Sequence, residues 1–258
     1  MNEFKNTMDV FKLLEKTNCR KCNKPTCLAF AASVFQGKIA LSQCPFIDED
    51  ILKKYGSQKL EYESAFEQDY IKVISQLKDR INQIDLESRA EKLGGKFLNK
   101  RLILKIFGKD FGIDKNGEIF TDIHVNSWIV PPVLNYVLSS KGAELTGSWV
   151  PFRELETSID WARFFEHQCV GSFKQVADTT PSFFRDIIEL FNGKPVQNHY
   201  DADISLIIHP LPLLPMLICY NHPEDGLESD LNLFFDSTAD KNLPIENIYP
   251  LSTGLANM

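Results

Sequence analysis

Apolar positions along this chain change rhythm twice, and each rhythm predicts a different kind of element. Val10, Phe11, Leu13 and Leu14 mark one short helical face. Thr26 has the chemistry of an N-cap for a helix through Phe35 that stops at Gly37, and Asp48 starts a further short helix ending near Gly56. After a polar, charged stretch, Tyr70, Val73, Ile74, Leu77, Ile81 and Ile84 recur at helical spacing, and Leu93 precedes Gly94-Gly95 as a stop. Residues 57–95 thus read as one or two connecting helices. From Phe97 to Phe107 the chain turns to Leu, Ile and Phe, Gly108 breaks the run, and Asp114-Lys115-Asn116-Gly117 makes a turn before Glu118 to Ile123, which predicts a meander of strands. Pro131 and Pro132 open a helix with Val133, Leu134, Val137 and Leu138 on one face, closed by Gly142. Ser158 to Cys169 and Pro181 to Phe191 read as two more amphipathic helices, rich in Trp161, Phe164, Phe165, Phe183, Phe184, Ile187 and Ile188. Aromatics at helical spacing belong to a core far more often than to a cofactor box. Strands return at Ile204 to His209, Met216 to Tyr220 and Leu231 to Phe235.

Strands, then helices, then strands predict an α+β domain with a mainly antiparallel sheet, preceded by a small helical domain. The expected divisions are residues 1–56, a connector at 57–95, and 96–258. With 258 residues, 43% of them hydrophobic, there is material for one good core and a small satellite. Met1 to Lys16 has scattered charges and no apolar core of a signal peptide, and the longest apolar run, Leu211 to Tyr220, is short and broken by Pro212 and Pro215. No membrane span is expected, and the cytoplasm is the expected location. The net charge of −7 is unevenly spread: residues 1–60 hold 10 Lys/Arg against 6 Asp/Glu, and the remainder holds 18 against 29. A basic front end on an acidic body suits steering of an acidic redox partner, or attraction between the two halves. Nucleic acid is not an expected partner, since no basic run with interleaved aromatics occurs.

The candidate chemistry lies at the basic end. Cys19-x2-Cys22-x4-Cys27-x16-Cys44, followed at once by Pro45, has the layout of a four-thiolate cage for one [4Fe-4S] cluster, with three ligands on a loop entering a helix and one returning from a distance. Zinc is the competitor, because four-cysteine zinc sites also begin with Cys-x2-Cys. A zinc ribbon, however, usually repeats that knuckle, and here Cys27 and Cys44 stand sixteen residues apart. Cys27 would sit at a helix N-terminus, where the dipole favours a thiolate. Arg20, Lys21, Lys24 and Lys38 lie within the motif, where cations would raise the potential of an anionic cluster; the plainer account of them is a solvated loop.

The run from Leu14 through Cys19, Cys22 and Cys27 to Ala32, ending in Cys44-Pro45, resembles the [4Fe-4S] module at the N-terminus of the corrinoid iron-sulfur protein large subunit. A related module occurs in the B subunit of the Rnf electron-transport complex. The resemblance covers about the first fifth of the chain and implies that Cys19, Cys22, Cys27 and Cys44 all ligate one cluster, in a small helical domain passing low-potential electrons. Arg20 and Asn23 stand where that module usually carries glycine. Gly147 to Leu155, Leu211 to Pro215 and Leu231 to Asp236 resemble a domain-of-unknown-function family that often follows this module in anaerobes. That second resemblance implies an architecture and no activity.

The larger domain offers few other candidates. His124, His167, His199, His209 and His222 show no metal-ligand spacing, and the glycines form neither a dinucleotide fingerprint nor a phosphate loop. Cys169 and Cys219 lie in apolar segments and read as buried thiols. The acidic loop His222 to Asp230 lacks the spacing of a calcium loop and reads as solvated charge. Trp149, Phe152, Arg153 and Glu154 are candidates for an exposed docking motif, with a strand-to-turn corner pairing Arg153 with Glu154 as the plainer alternative. Three functions follow in order of support: a one-electron transfer or reductive-activation protein working with a redox partner from corrinoid or acetyl-CoA metabolism; a redox or iron sensor; and an enzyme with its site in 96–258. No cobalamin-binding motif is present, so corrinoid binding by this chain has no motif behind it.

Overall fold

The computed structural model describes residues 4, 6–35, 39–55, 65–197, 199–224 and 226–256. The expected stops at Gly37 and Gly56, the cation at Lys38, and residues 57–64 of the connector lie outside the described residues. Two compact units divide the chain, residues 1–72 and 73–258. No helix among the described residues is long and apolar enough to cross a membrane.

The first unit is helical because each short apolar face has its own cap. Asn6 accepts the Asp9 N–H at 3.1 Å and opens α1 (Thr7–Phe11). Thr26 Oγ1 accepts the Ala29 N–H at 3.0 Å and opens α2 (Cys27–Phe35), as the sequence predicts. Asp48 accepts from Asp50 N–H at 2.9 Å before α3 (Glu49–Tyr55). Such helices are too short to stand alone, so packing holds them: Val10, Leu14, Phe30, Ala31, Val34, Leu41 and Ile47 form one small core, with Cys22, Cys27 and Cys44 packed against it.

Along α4 (Ala65–Ile81), Leu77 and Ile81 are buried, consistent with the predicted period. Asp85 then caps α5 (Leu86–Ala90), and Gly94, at φ 67°, ends the helical region where the Gly94-Gly95 pair predicted a stop. The meander consists of β1 (Lys96–Leu98), β2 (Arg101–Ile106), β3 (Lys109–Asp114) and β4 (Ile119–Thr121), all antiparallel and in sequence order. The strand expected over 97–107 is in fact two, because Asn99 and Lys100 take positive φ (52° and 61°) and make a two-residue hairpin turn without glycine.

After α6 (Val130–Ser139), β5 (Trp149–Pro151) leads through a tight turn to α7 (Ile159–Phe165), α8 (Gly171–Thr179) and α9 (Phe183–Phe191). The residues between α7 and α8, Glu166–Val170, form a π-turn, so the helix expected to end at Cys169 continues to Thr179. β6 (Lys194–Pro195), β7 (Ile204–Leu211), β8 (Leu214–Asn221) and β9 (Asp230–Asp236) complete a second antiparallel sheet in the order β5-β9-β8-β7-β6. The chain is thus α+β, with two antiparallel sheets and a helical N-terminal segment. Two helices not foreseen from sequence, α10 (Ala239–Asn242) and α11 (Ile245–Ala256), close the fold; Pro250 and Gly254 lie inside α11. Gly254 is there for closeness: a Cβ at that position would meet Trp128 Cβ at 2.5 Å.

Phe152 stacks on Phe165 at 4.0 Å, and both meet Phe235 edge-on at 6.1 and 5.8 Å. Polar ties hold the irregular segments to this core. Tyr136 donates to Leu93 O at 2.8 Å and accepts the Leu213 N–H at 3.3 Å; Asn242 donates to Ala143 O and Leu213 O and accepts the Ala143 N–H. Asp236 is buried, yet its carboxylate accepts from the N–H groups of Thr146, Gly147 and Thr238 and from both threonine hydroxyls. Burial acts to raise its pKa, but these bonds outweigh it and hold the group below the usual carboxylate value.

Because the folded pKa is lowered, Asp236 contributes stability above the usual carboxylate value of about 4 that is lost as pH falls through its folded value. Asp236→Asn should therefore lower unfolding free energy by about 2 kcal/mol at pH 7. In denaturant titrations the gap to wild type should narrow with acid; a gap that keeps its size as the pH falls would contradict this account.

Candidate metal centre

The four N-terminal cysteines arrive from different local structures. Cys19 and Cys22 lie on a loop in which Lys16, Asn18, Arg20 and Asn23 all take left-handed backbone, with φ of 61°, 50°, 61° and 57°. Left-handed residues among right-handed ones turn successive N–H groups inward to form an anion-binding concavity. Arg20 and Asn23 occupy the two positions where the resembled module carries glycine, and both keep the backbone that glycine adopts freely. Asparagine tolerates it; arginine does so at a cost of roughly 1–2 kcal/mol.

Cys27 is the first residue of α2 and is clamped by Asn18. Asn18 Oδ1 accepts the Cys27 N–H at 2.7 Å, and the Asn18 N–H donates to Cys27 Sγ at 3.3 Å. One residue thereby satisfies a helix-terminal donor and polarises a sulfur. Cys44 ends a single 3₁₀ turn (Leu41–Gln43), with its N–H bonded to Leu41 O at 3.2 Å. All four sulfurs are free thiols, and all four cysteines line one cavity with Leu14, Phe30, Phe46, Arg20 and Lys24. Lys21 places its ammonium 4.7 Å from the centre of the Phe46 ring.

The electrostatics reflect this convergence. Burial pushes the Cys44 thiol above its ordinary value, and the charges of Cys22, Cys19 and Cys27 push it further, against the Phe46 N–H that lowers it. Cys19, an exposed residue, is lowered by the Lys21 N–H and by the Thr17 hydroxyl and the Lys21 charge. Three sulfurs close enough to raise the Cys44 thiol favour a cationic centre among them, so the donor set fits an iron-sulfur cluster. Among the described residues, no three His, Cys, Asp or Glu side chains are grouped to hold a single metal ion.

Other sequence candidates fall elsewhere. Phe152 is buried in the aromatic core, so the docking candidate is corrected: that ring is unavailable to a partner. The segment is a strand-to-turn corner, β5 followed by a 3₁₀ turn at Phe152–Glu154, with Arg153 and Glu154 exposed. Cys169 and Cys219 are buried, and burial raises both thiols above their ordinary values. In the acidic loop the His222 N–H donates to Asp203; Asp225 lies outside the described residues. Sequence inspection missed Asn18, whose only signal is its place before Cys19. It also missed Asp178, which accepts from Lys174, Tyr220 and Ser229 at 2.8, 2.9 and 2.7 Å across three elements.

Geometry and comparison agree on the class, an iron-sulfur region followed by an α+β domain. Residues 14–46 match a family described as "Putative Fe-S cluster". Residues 85–258 match DUF3786, a domain of unknown function, and the chain belongs to that family. It is also similar to the acetyl-CoA decarbonylase/synthase complex subunit gamma of Methanocaldococcus jannaschii, 22% identical over 195 residues, 73% of this chain and 37% of that one. The corresponding subunit of Methanothermobacter thermautotrophicus is 45% identical over 47 residues, 18% of this chain and 10% of that one. The corrinoid/iron-sulfur protein large subunit of Moorella thermoacetica is 43% identical over 42 residues, 16% of this chain and 9% of that one. This chain therefore spans little more than a third of the first relative and about a tenth of the others. No solved structure matches the chain.

Two glycine substitutions separate backbone strain from side-chain clamping. Arg20→Gly should stabilise the metal-loaded N-terminal unit by up to about 1 kcal/mol, since it relieves a left-handed arginine. Asn18→Gly keeps the backbone but removes the clamp on the Cys27 N–H, and should destabilise it by about 1 kcal/mol. Chelator-challenge rates of the two variants should move in opposite directions from wild type; movement in the same direction would contradict the assignment.

Proposed function

We propose that Cys19, Cys22, Cys27 and Cys44 hold one [4Fe-4S] cluster and that the chain is a one-electron carrier or reductive activator for a redox partner of corrinoid- or acetyl-CoA-linked metabolism, acting in the cytoplasm. On this proposal residues 1–56 are the cluster-binding domain, 57–95 the connector, and 96–258 the domain through which a partner or ligand is engaged. The observation that carries it is four free thiols lining one cavity within a segment that matches an iron-sulfur family. The spacing supports a cluster over zinc, since a zinc ribbon usually repeats its Cys-x2-Cys knuckle and here Cys27 and Cys44 stand sixteen residues apart.

A cluster bound there supplies a site for one electron. The chain's own groups set its surroundings. N–H groups of Asn18, Lys21 and Phe46 donate to the sulfurs of Cys27, Cys19 and Cys44 and offset negative charge. Leu14 and Phe30 make one side apolar, while Arg20 and Lys24, partly offset by Glu15, stabilise added negative charge.

Cys44→Ala should abolish intact incorporation, read as loss of the broad visible absorption after anaerobic reconstitution with iron and sulfide. Retention of a full wild-type spectrum would exclude Cys44 as a ligand. The basic end should also steer an acidic electron donor: exposed attraction is screened over about 8 Å at physiological ionic strength. Reduction should slow as salt rises, and reversing charge at Lys21 and Lys24 should slow it at low salt. A rate indifferent to both would remove steering from the account.

A further inference from the structure

In the second unit, the β2–β3 hairpin, the end of α9, β6 and β7 line a half-open cavity of about 460 Å³, within the size range of small-molecule sites. Lys105, Lys109, Lys194 and His209 line it. The part of the chain to which they belong has an acidic excess, 18 Lys/Arg against 29 Asp/Glu after residue 60, so a concentration of lysines is not its average composition. Two carboxylates temper the charge: Glu189 lines the cavity, and Asp110 pairs with Lys105 at 2.9 Å. Among the described residues neither Lys109 nor Lys194 has an ion-pair partner. These lysines are not needed to finish α9, whose end is closed by the N–H groups of Asn192 and Gly193 on Ile187 O.

The apolar side of the same cavity is formed by Leu190, Phe191 and Pro212, and Leu190 is 58% exposed. Cations facing an apolar wall suit a ligand with a charged head and an organic body. We infer that this cavity binds a small organic phosphate, its phosphate against Lys109, Lys194 and His209 and its organic part along Leu190, Phe191 and Pro212. His209 is half-buried, and burial with the Lys194 charge holds its pKa below the ordinary value. The charged groups lining the cavity with it are Lys105, Lys109, Lys194 and Glu189, with Asp110 behind Lys105. A bound phosphate adds negative charge beside the ring and favours the imidazolium.

The test is an NMR titration of the His209 ring in the full chain, assigned by its loss in His209→Gln, with inorganic phosphate and phenyl phosphate as probes at fixed ionic strength. Both probes should raise the pH at which His209 titrates. Phenyl phosphate should act at about ten-fold lower concentration, from burial of part of its ring. Lys109→Gln and Lys194→Gln, each at an exposed position, should each weaken binding by about ten-fold or more, whereas Lys115→Gln in the β3–β4 turn should not. Three results would overturn the proposal: a His209 titration that neither probe moves, a shift unchanged in the Lys109 and Lys194 variants, or equal concentrations for the two probes, which would mean a bare anion effect.

Discussion

Thiols that converge on one cavity oppose one another as soon as they ionise, and the N-terminal unit is built around that opposition. Cys44 is pushed upward by burial and by three neighbouring sulfurs, and the local structure answers with donors: the Phe46, Lys21 and Asn18 N–H groups and the cations Arg20, Lys21 and Lys24. An apolar core as small as Val10, Leu14, Phe30, Ala31, Val34, Leu41 and Ile47 supplies limited stability by itself. Cluster binding would add the rest, since a centre that binds only the folded arrangement stabilises it by mass action.

The loop shows how a backbone requirement survives a change of residue. Left-handed conformations at Lys16, Asn18, Arg20 and Asn23 shape the loop in which the Asn18 and Lys21 N–H groups reach sulfur, and glycine is the residue that adopts them without cost. Asparagine comes next because its short polar chain bonds locally, as Asn18 does with Cys27. Arginine at position 20 trades conformational ease for a cation at the cavity wall.

Much of the fold was legible because the signals were local. Thr26 and Asp48 cap the helices they were expected to cap, Gly94 stops the one before β1, and β7, β8 and β9 follow their apolar runs. What escaped was decided by tertiary context. Asn99-Lys100 turns without a glycine signal, the π-turn carries α7 on into α8, and α11 runs through Pro250 and packs Gly254 closely on Trp128. The cysteine spacing was legible as a four-ligand motif, whereas the Asn18 clamp was not, since a lone asparagine before a cysteine has no pattern. At Phe152 the plainer alternative holds: the segment is a strand-to-turn corner, and the ring lies in the core where the docking reading had it exposed.

The central claim is that one [4Fe-4S] cluster is held by this unit, and metal content tests it most directly. Full-length protein purified anaerobically, or reconstituted with iron and sulfide, should contain about four iron and four acid-labile sulfide per chain and give the EPR signal of a reduced [4Fe-4S] cluster on treatment with dithionite. Stoichiometric zinc that persists through anaerobic reconstitution, with neither sulfide nor an EPR signal, would contradict it.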